Sequence, residues 1–241
     1  MHWTVIVVGR ILASMVTVPR RRNTSLQLKI VMAVTGGISV LYLVLHMIGN
    51  LKIFLGQREL DTYASFLRTV GEPALPYATL LWIIRAVLTV SIVAHIVSAT
   101  VLARRAAKAR PVGYAARPRT PGSYAARTMR WGGVIIALFV VYHVLDLTTG
   151  TLNPNGVSGA VHDNVVTDFA PGRWYVTLFY ALAVVAVGVH LRHGIWSALA
   201  TLGRSDGARQ HAQQIASTAI AVVLTVGFLA VPFAVTLGLV G

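Results

Sequence analysis

The sequence predicts an all-α membrane protein: a five-helix transmembrane bundle with its N-terminus in the cytoplasm and its C-terminus outside. Three observations predict it. Of 241 residues, 56% are hydrophobic and only 12% are charged. A soluble globular domain carries about 25% charged residues, and charge is expensive in hydrocarbon. Five stretches are apolar over the roughly 20 residues a helix needs to cross a bilayer. Finally, 21 Lys and Arg against 7 Asp and Glu give a formal charge of +14, and these charges are sorted between alternate connections.

Residues 1–27 form a basic arm. Trp3 to Val18 is fairly apolar, but Arg10 interrupts it and Arg20–Arg22 follow. The apolar run is short, and the positive charge is on the wrong side for a secretory signal. The arm reads as a cytoplasmic, interfacial or partner-contacting segment. The transmembrane domain is residues 28–241, with spans at about 28–55, 77–103, 128–149, 174–202 and 215–239. None alternates with period two, so membrane strands are excluded. Pro73 and Pro76 punctuate the approach to the second span, and Pro171–Gly172 precede the fourth. Pro232 is expected to kink the fifth.

Charge placement sets orientation. Segment 1–29 holds Arg10, Arg20, Arg21, Arg22 and Lys29 and no acid. Between the second and third spans lie Arg104, Arg105, Lys108, Arg110, Arg117, Arg119, Arg127 and Arg130, again with no acid. Glu59, Asp61, Glu72, Asp163 and Asp168 fall in the two connections on the opposite side. The positive-inside rule makes the basic side cytoplasmic. The basic excess is therefore a membrane face. Nucleic acid is not expected, whereas anionic membrane lipid or a cytoplasmic protein partner suits that face.

Histidines His46, His95, His143 and His190 lie deep in the first four spans, one on each. A single buried histidine is explained by an interhelical hydrogen bond, but an intramembrane ionisable residue is also a functional-site hypothesis. Depth, at about 1.5 Å per residue, sorts the four into pairs. His46 and His143 lie roughly 7 Å to the outer side of mid-span. His95 and His190 lie roughly 4–7 Å to the inner side. Two histidines at one depth on two helices suit bis-histidine haem b, each imidazole binding iron from one face. Zinc would want more ligands at one level. A proton relay would want acids among the histidines, and the only deep acid nearby is Asp146. His193, one turn beyond His190, is a competing ligand. His2, His162 and His211 read as surface residues. Gly36–Gly37, Gly132–Gly133 and Gly188 leave room for a flat macrocycle or for close helix contact. Arg85 falls at the His46/His143 level, suited to a haem propionate or a quinone carbonyl, or to snorkelling. Arg130 and Arg192 are similarly placed toward the inner level or the cytoplasmic surface. With no cysteine in the chain, protein-ligated iron–sulfur clusters are excluded.

Four segments carry a family resemblance: GGISVLYLVLHMIGN around His46, AHIVSATVLARR around His95, VVYHVLDL around His143 and HLRHGIWSALATLG from His190. From about residue 28 onward the chain resembles the five-helix, di-haem cytochrome b membrane anchor of succinate dehydrogenase and fumarate reductase complexes, the b558 type. The resemblance implies that His46 pairs with His143, that His95 pairs with His190, and that His193 need not bind iron. It implies two haems b passing electrons between succinate and menaquinone. It implies a cytoplasmic iron–sulfur subunit and a flavoprotein subunit as partners, which hold the iron–sulfur clusters and FAD. It implies a bacterial cytoplasmic membrane. Near the outer haem it suggests a quinone site, where Glu72, Tyr77, Trp82 and Arg85 are the candidates at that level. Some fumarate reductase members carry Glu two residues before the fourth-span histidine. Here that residue is Gly188, which favours succinate oxidation. A fumarate reductase anchor and a di-haem cytochrome of another quinone-linked dehydrogenase are the alternatives. A proton-coupled transporter would need broken helices and more intramembrane acids.

Overall fold

The computed structural model describes residues 24–109, 121–157, 159–203 and 207–241. Most of the predicted N-terminal arm, and the centre of the basic connection between the second and third spans, lie outside the described residues. Among the described residues every regular element is helical, and five helices are long and apolar enough to cross a membrane.

The first, α1, runs Ser25–Leu51. Thr24 starts it with a capping box: its hydroxyl accepts from the Gln27 N–H at 3.2 Å, and the Gln27 side chain accepts from the Thr24 N–H at 2.8 Å. These two bonds satisfy amides that a helix start leaves open. A 3-10 turn, Lys52–Leu55, continues it. Next comes α2, Gln57–Thr69. Then follow α3, Thr79–Lys108, and α4, Pro121–His143. The last turn of α4 widens into a π-helical turn, Val144–Thr148. Helix α5 is Val161–Asp168, α6 is Trp174–Leu202 and α7 is Gly207–Thr236. Helix α7 continues through Pro232.

Two elements were not expected. Helix α2 is amphipathic: Leu60, Tyr63, Ala64 and Leu67 fall on one stripe at helical spacing. Helices α2 and α5 pack against each other at one end of the bundle, which we call the capped end. There the Gln57 amide donates to Asp163 at 3.1 Å, and the His162 N–H donates to Asp61 at 3.1 Å. A cluster of Ile53, Leu60, Phe169, Val176, Tyr180, Val231 and Val235 fills that end. At the opposite end lie Arg104, Arg105 and Lys108 of α3, with the Arg105 guanidinium donating to Ser25 at 3.2 Å.

The bundle's exterior is apolar: Leu138 is 69% exposed and Val90 68%. Such a surface suits lipid. Hydroxyls inside the spans bond to their own helix. Thr35, Thr89, Thr225 and Thr236 donate to the carbonyls of Val31, Arg85, Ala221 and Pro232.

Helix α6 is the hub, packing against α1, α4 and α7; α1 also packs against α3 and α7. Glycines set the closest approaches. A Cβ on Gly188 would collide with the Thr225 hydroxyl of α7, and one on Gly227 would collide with the Met47 side chain of α1. Of the two roles considered for Gly188, the structure supports close helix contact. Five of the ten pairs of spanning helices are not closely packed among the described residues, and α1 with α4 and α3 with α6 are two of them. These two pairs face each other across the bundle.

Candidate functional site

The deep histidines lie across those two open diagonals. His46 on α1 faces His143 at the end of α4, with ring centres 5.9 Å apart and planes at 79°. His95 on α3 faces His190 on α6, with ring centres 6.3 Å apart and planes at 60°. The structure thus brings together the rings of His46 and His143, and those of His95 and His190. The His95 ring meets α1 at Met32 and Thr35. His46 lies eleven residues beyond Thr35, so the two levels are about 16 Å apart along the helix axis.

The first level is walled by aromatic rings. Tyr42 stacks on His46 at 5.3 Å, and Phe228 lies 5.7 Å from it. Phe139 and Tyr180 lie 5.8 and 5.9 Å from His143. The second level is bordered by small residues. A Cβ on Gly36 would rest 3.5 Å from the His95 ring, and one on Gly133 3.9 Å from the His190 ring. Gly37 and Gly132 have open space instead.

One ring's tautomer follows from its partner. His95 Nδ1 lies 3.1 Å from the Met32 carbonyl and 3.3 Å from the Thr35 hydroxyl. A carbonyl only accepts, so Nδ1 carries the hydrogen and Nε2 keeps the lone pair. That is the arrangement in which a ligating histidine is oriented by a backbone carbonyl. His143 Nδ1 and His190 Nδ1 are buried without a hydrogen-bond partner. His193, the competing ligand, turns toward Trp196 at 5.7 Å, and His190 is the ring that faces His95.

The donor set fits a bis-imidazole metal centre. A metal with an imidazole nitrogen about 2 Å away on each side holds the ring centres about 6 Å apart. Both pairs have that spacing. Among the described residues, no group of three His, Asp or Glu side chains could hold a metal ion. Each level therefore offers two imidazoles and, among the described residues, no third ligand, which suits a planar macrocycle rather than a tetrahedral ion.

The other predicted residues are spread more widely. The Arg85 guanidinium sits 4.8 Å over the Trp82 ring. Glu72 and Tyr77 lie exposed in the turn before α3. Arg192 donates to Thr218 at 3.1 Å on α7.

Three features went unread in the sequence. An open cleft of about 360 Å³ at the capped end is lined by Lys52, Glu59, Thr62, Tyr63 and Phe66. The Lys52 ammonium lies 5.4 Å over the Tyr63 ring. Tyr63 leans on Gly49, where a Cβ would come within 2.7 Å of the ring. The cleft therefore begins one helical turn beyond His46. His162, expected at the surface, is only 8% exposed, with Nδ1 3.2 Å from Asp163. Asp168, assigned to a loop, is completely buried and pairs with Arg173 at 2.8 Å. Asp146 is completely buried too and accepts from the Tyr180 hydroxyl at 2.7 Å. Burial, then Asp146, push the Asp168 carboxyl well above the ordinary carboxylate range, to about 7, against the opposing pull of Arg173.

No family model matches the chain, and neither does any curated protein or solved structure.

Proposed function

We propose that this chain is the di-haem cytochrome b membrane anchor of a succinate:menaquinone oxidoreductase in a bacterial cytoplasmic membrane. The observation that carries the reading is the pair of facing histidines on each open diagonal, at two levels of one bundle. His46 and His143 would hold one haem b, and His95 and His190 the other. A haem at each level supplies one-electron redox chemistry when bound.

The chain's own residues orient and shield. The Met32 carbonyl fixes the His95 ring, and Gly36 and Gly133 keep side chains away from the second pair. Tyr42, Phe139 and Phe228 exclude water from the first pair. In this reading the basic end is cytoplasmic and docks the iron–sulfur subunit, which carries the flavoprotein. The capped end is outside. There the open cleft beside Tyr63 offers a few polar groups, and we place the menaquinone headgroup against it. Glu59 would exchange its protons, and Lys52 would bond a quinone oxygen. Arg85 and Trp82 face the same level from α3.

A reduced-minus-oxidised optical spectrum of the purified protein tests the reading. A b-type band with about two haems per chain is expected. A colourless protein after expression with haem supply would sink it. Reduction of the haems by succinate in the assembled complex, and not in the isolated chain, tests the partners.

A further inference from the structure

A second chemical centre lies beside the first histidine level. Asp146 comes from the π-helical turn after His143, Asp168 ends α5, Arg173 lies in the turn before α6, and Tyr180 stands on α6. Both carboxyls are 0% exposed. Tyr180 donates to Asp146 Oδ2, and the Arg173 guanidinium stands 2.8 Å from Asp168 Oδ1. The remaining oxygens are short of donors. Asp146 Oδ1 and Asp168 Oδ2 have no hydrogen-bond partner, Asp168 Oδ1 has only the Arg173 ion pair, and Arg173 Nε and Nη1 are buried without a partner. Tyr180 reaches both: its hydroxyl bonds Asp146, and its ring packs 4.9 Å from that of Phe169, the residue after Asp168.

An ionised carboxylate only accepts, so neither carboxylate can supply the missing donor. With both ionised, the single guanidinium leaves one net negative charge buried, which is costly. One proton on the pair removes that charge and supplies the missing donor, as in other paired carboxyls. The upward push on Asp168 agrees with this count.

We propose that Asp146 and Asp168 form a proton-binding site that holds one exchangeable proton, and that its occupancy follows the electron at the His46/His143 level. The second half rests on the haem reading above. Tyr180 links the two centres: its hydroxyl bonds Asp146, and its ring lies 5.9 Å from His143. An electron supplied to that level by a hydroquinone adds one negative charge. One proton taken up from the aqueous side onto the carboxyl pair balances it. On oxidation the electron passes on along the chain of redox groups and the proton returns to the same aqueous side. The groups facing the pair are Tyr142 from α4, Tyr180 from α6 and Arg173 from the turn. Helix α7 brings the uncharged Thr236, which bonds the Phe169 carbonyl. On α5 itself, His162 and Asp163 pair with each other.

The test uses the full chain with haem, in lipid nanodiscs. Infrared redox difference spectra should show a protonated-carboxyl band that shifts in D2O and is missing in both Asp146→Asn and Asp168→Asn. The midpoint potential of the first-level haem should fall across neutral pH with a slope approaching one proton per electron, and should be flat in Asp168→Asn. Tyr180→Phe keeps both carboxyls and the ion pair, so it guards against misfolding. It should retain the band but weaken its response to the electron. A carboxyl band that survives in both Asn variants, or a pH slope unchanged in Asp168→Asn, overturns the proposal. If the wild-type chain binds no haem, the haem reading and the coupling fall together. The proton site is then decided by infrared pH titration of the haem-free protein: a carboxyl band titrating near neutral pH and lost in Asp168→Asn supports it, and no such band overturns it.

Discussion

The two histidine levels have the same ring spacing but different surroundings. The first is packed with aromatic side chains, which clamp His46 and His143 from several helices. The second is bordered by glycines and oriented by a backbone carbonyl. Aromatic packing fills space and excludes water, so it protects the level that lies nearer the buried acids. Glycine flanks leave space, so the second level depends on what is absent from α1 and α4. The same two-imidazole geometry is thus reached by filling in one place and by clearing in the other.

Under the proposed di-haem reading, the largest effect should come from the four deep histidines. His46→Ala or His143→Ala should remove one haem, and His95→Ala or His190→Ala the other, taking the content from about two to about one per chain. Pyridine haemochrome assay measures it. Loss in a crossed pattern would break the comparison outright.

Next come the glycine flanks. Gly36→Leu should place a side chain against the His95 ring and empty the second level while sparing the first. Gly37→Leu should leave both intact, because Gly37 has open space around it. Equal damage from both would show that the clearing is not local.

Gly188→Val should clash with Thr225 and cost about 1–3 kcal/mol of stability, the usual range for overpacking. Thermal unfolding in detergent reads that loss. The spectra of both levels should be unchanged, since this glycine serves the α6–α7 seam.

A pH effect should separate the levels further. Asp168 binds its proton more tightly in the folded chain than in the unfolded one, whose carboxyl titrates near the ordinary 3.8. Its contribution to stability is therefore complete below about 4 and is lost as pH rises toward about 7. Asp168→Asn should remove that part of the pH dependence of the melting temperature. A wild-type profile reproduced by the variant would exclude Asp168 as its source.

The smallest change is Thr35→Ala. It deletes a hydroxyl 3.3 Å from His95 Nδ1 but leaves the 3.1 Å carbonyl contact. We expect a loss below about 1 kcal/mol, visible by thermal unfolding. The second-level haem should be retained, and its loss would show that the hydroxyl holds the ring.

Depth was legible in the sequence, and direction around each helix was not. A residue's height follows from a fixed rise, so the partners His46/His143 and His95/His190 could be sorted by counting. Which way Gly188 faces depends on where α7 sits, so its contact with Thr225 could not be counted out. The spans were readable from apolar length. Helix α2 was missed because its low overall hydrophobicity hid an apolar stripe that was present all along, at Leu60, Tyr63, Ala64 and Leu67. Asp168 and His162 were read as loop residues because polar side chains in a connection are usually solvated. Here α5 folds back over the bundle end and buries them.

The open diagonals have a consequence for biogenesis. Neither histidine pair joins consecutive spans, so no helical hairpin can complete one as it leaves the ribosome. His46 and His95 are synthesised first and must wait for His143 and His190. Helix α4 packs chiefly on α6, which is made one span later. Both histidine pairs therefore close late in synthesis, when the fourth span takes its place.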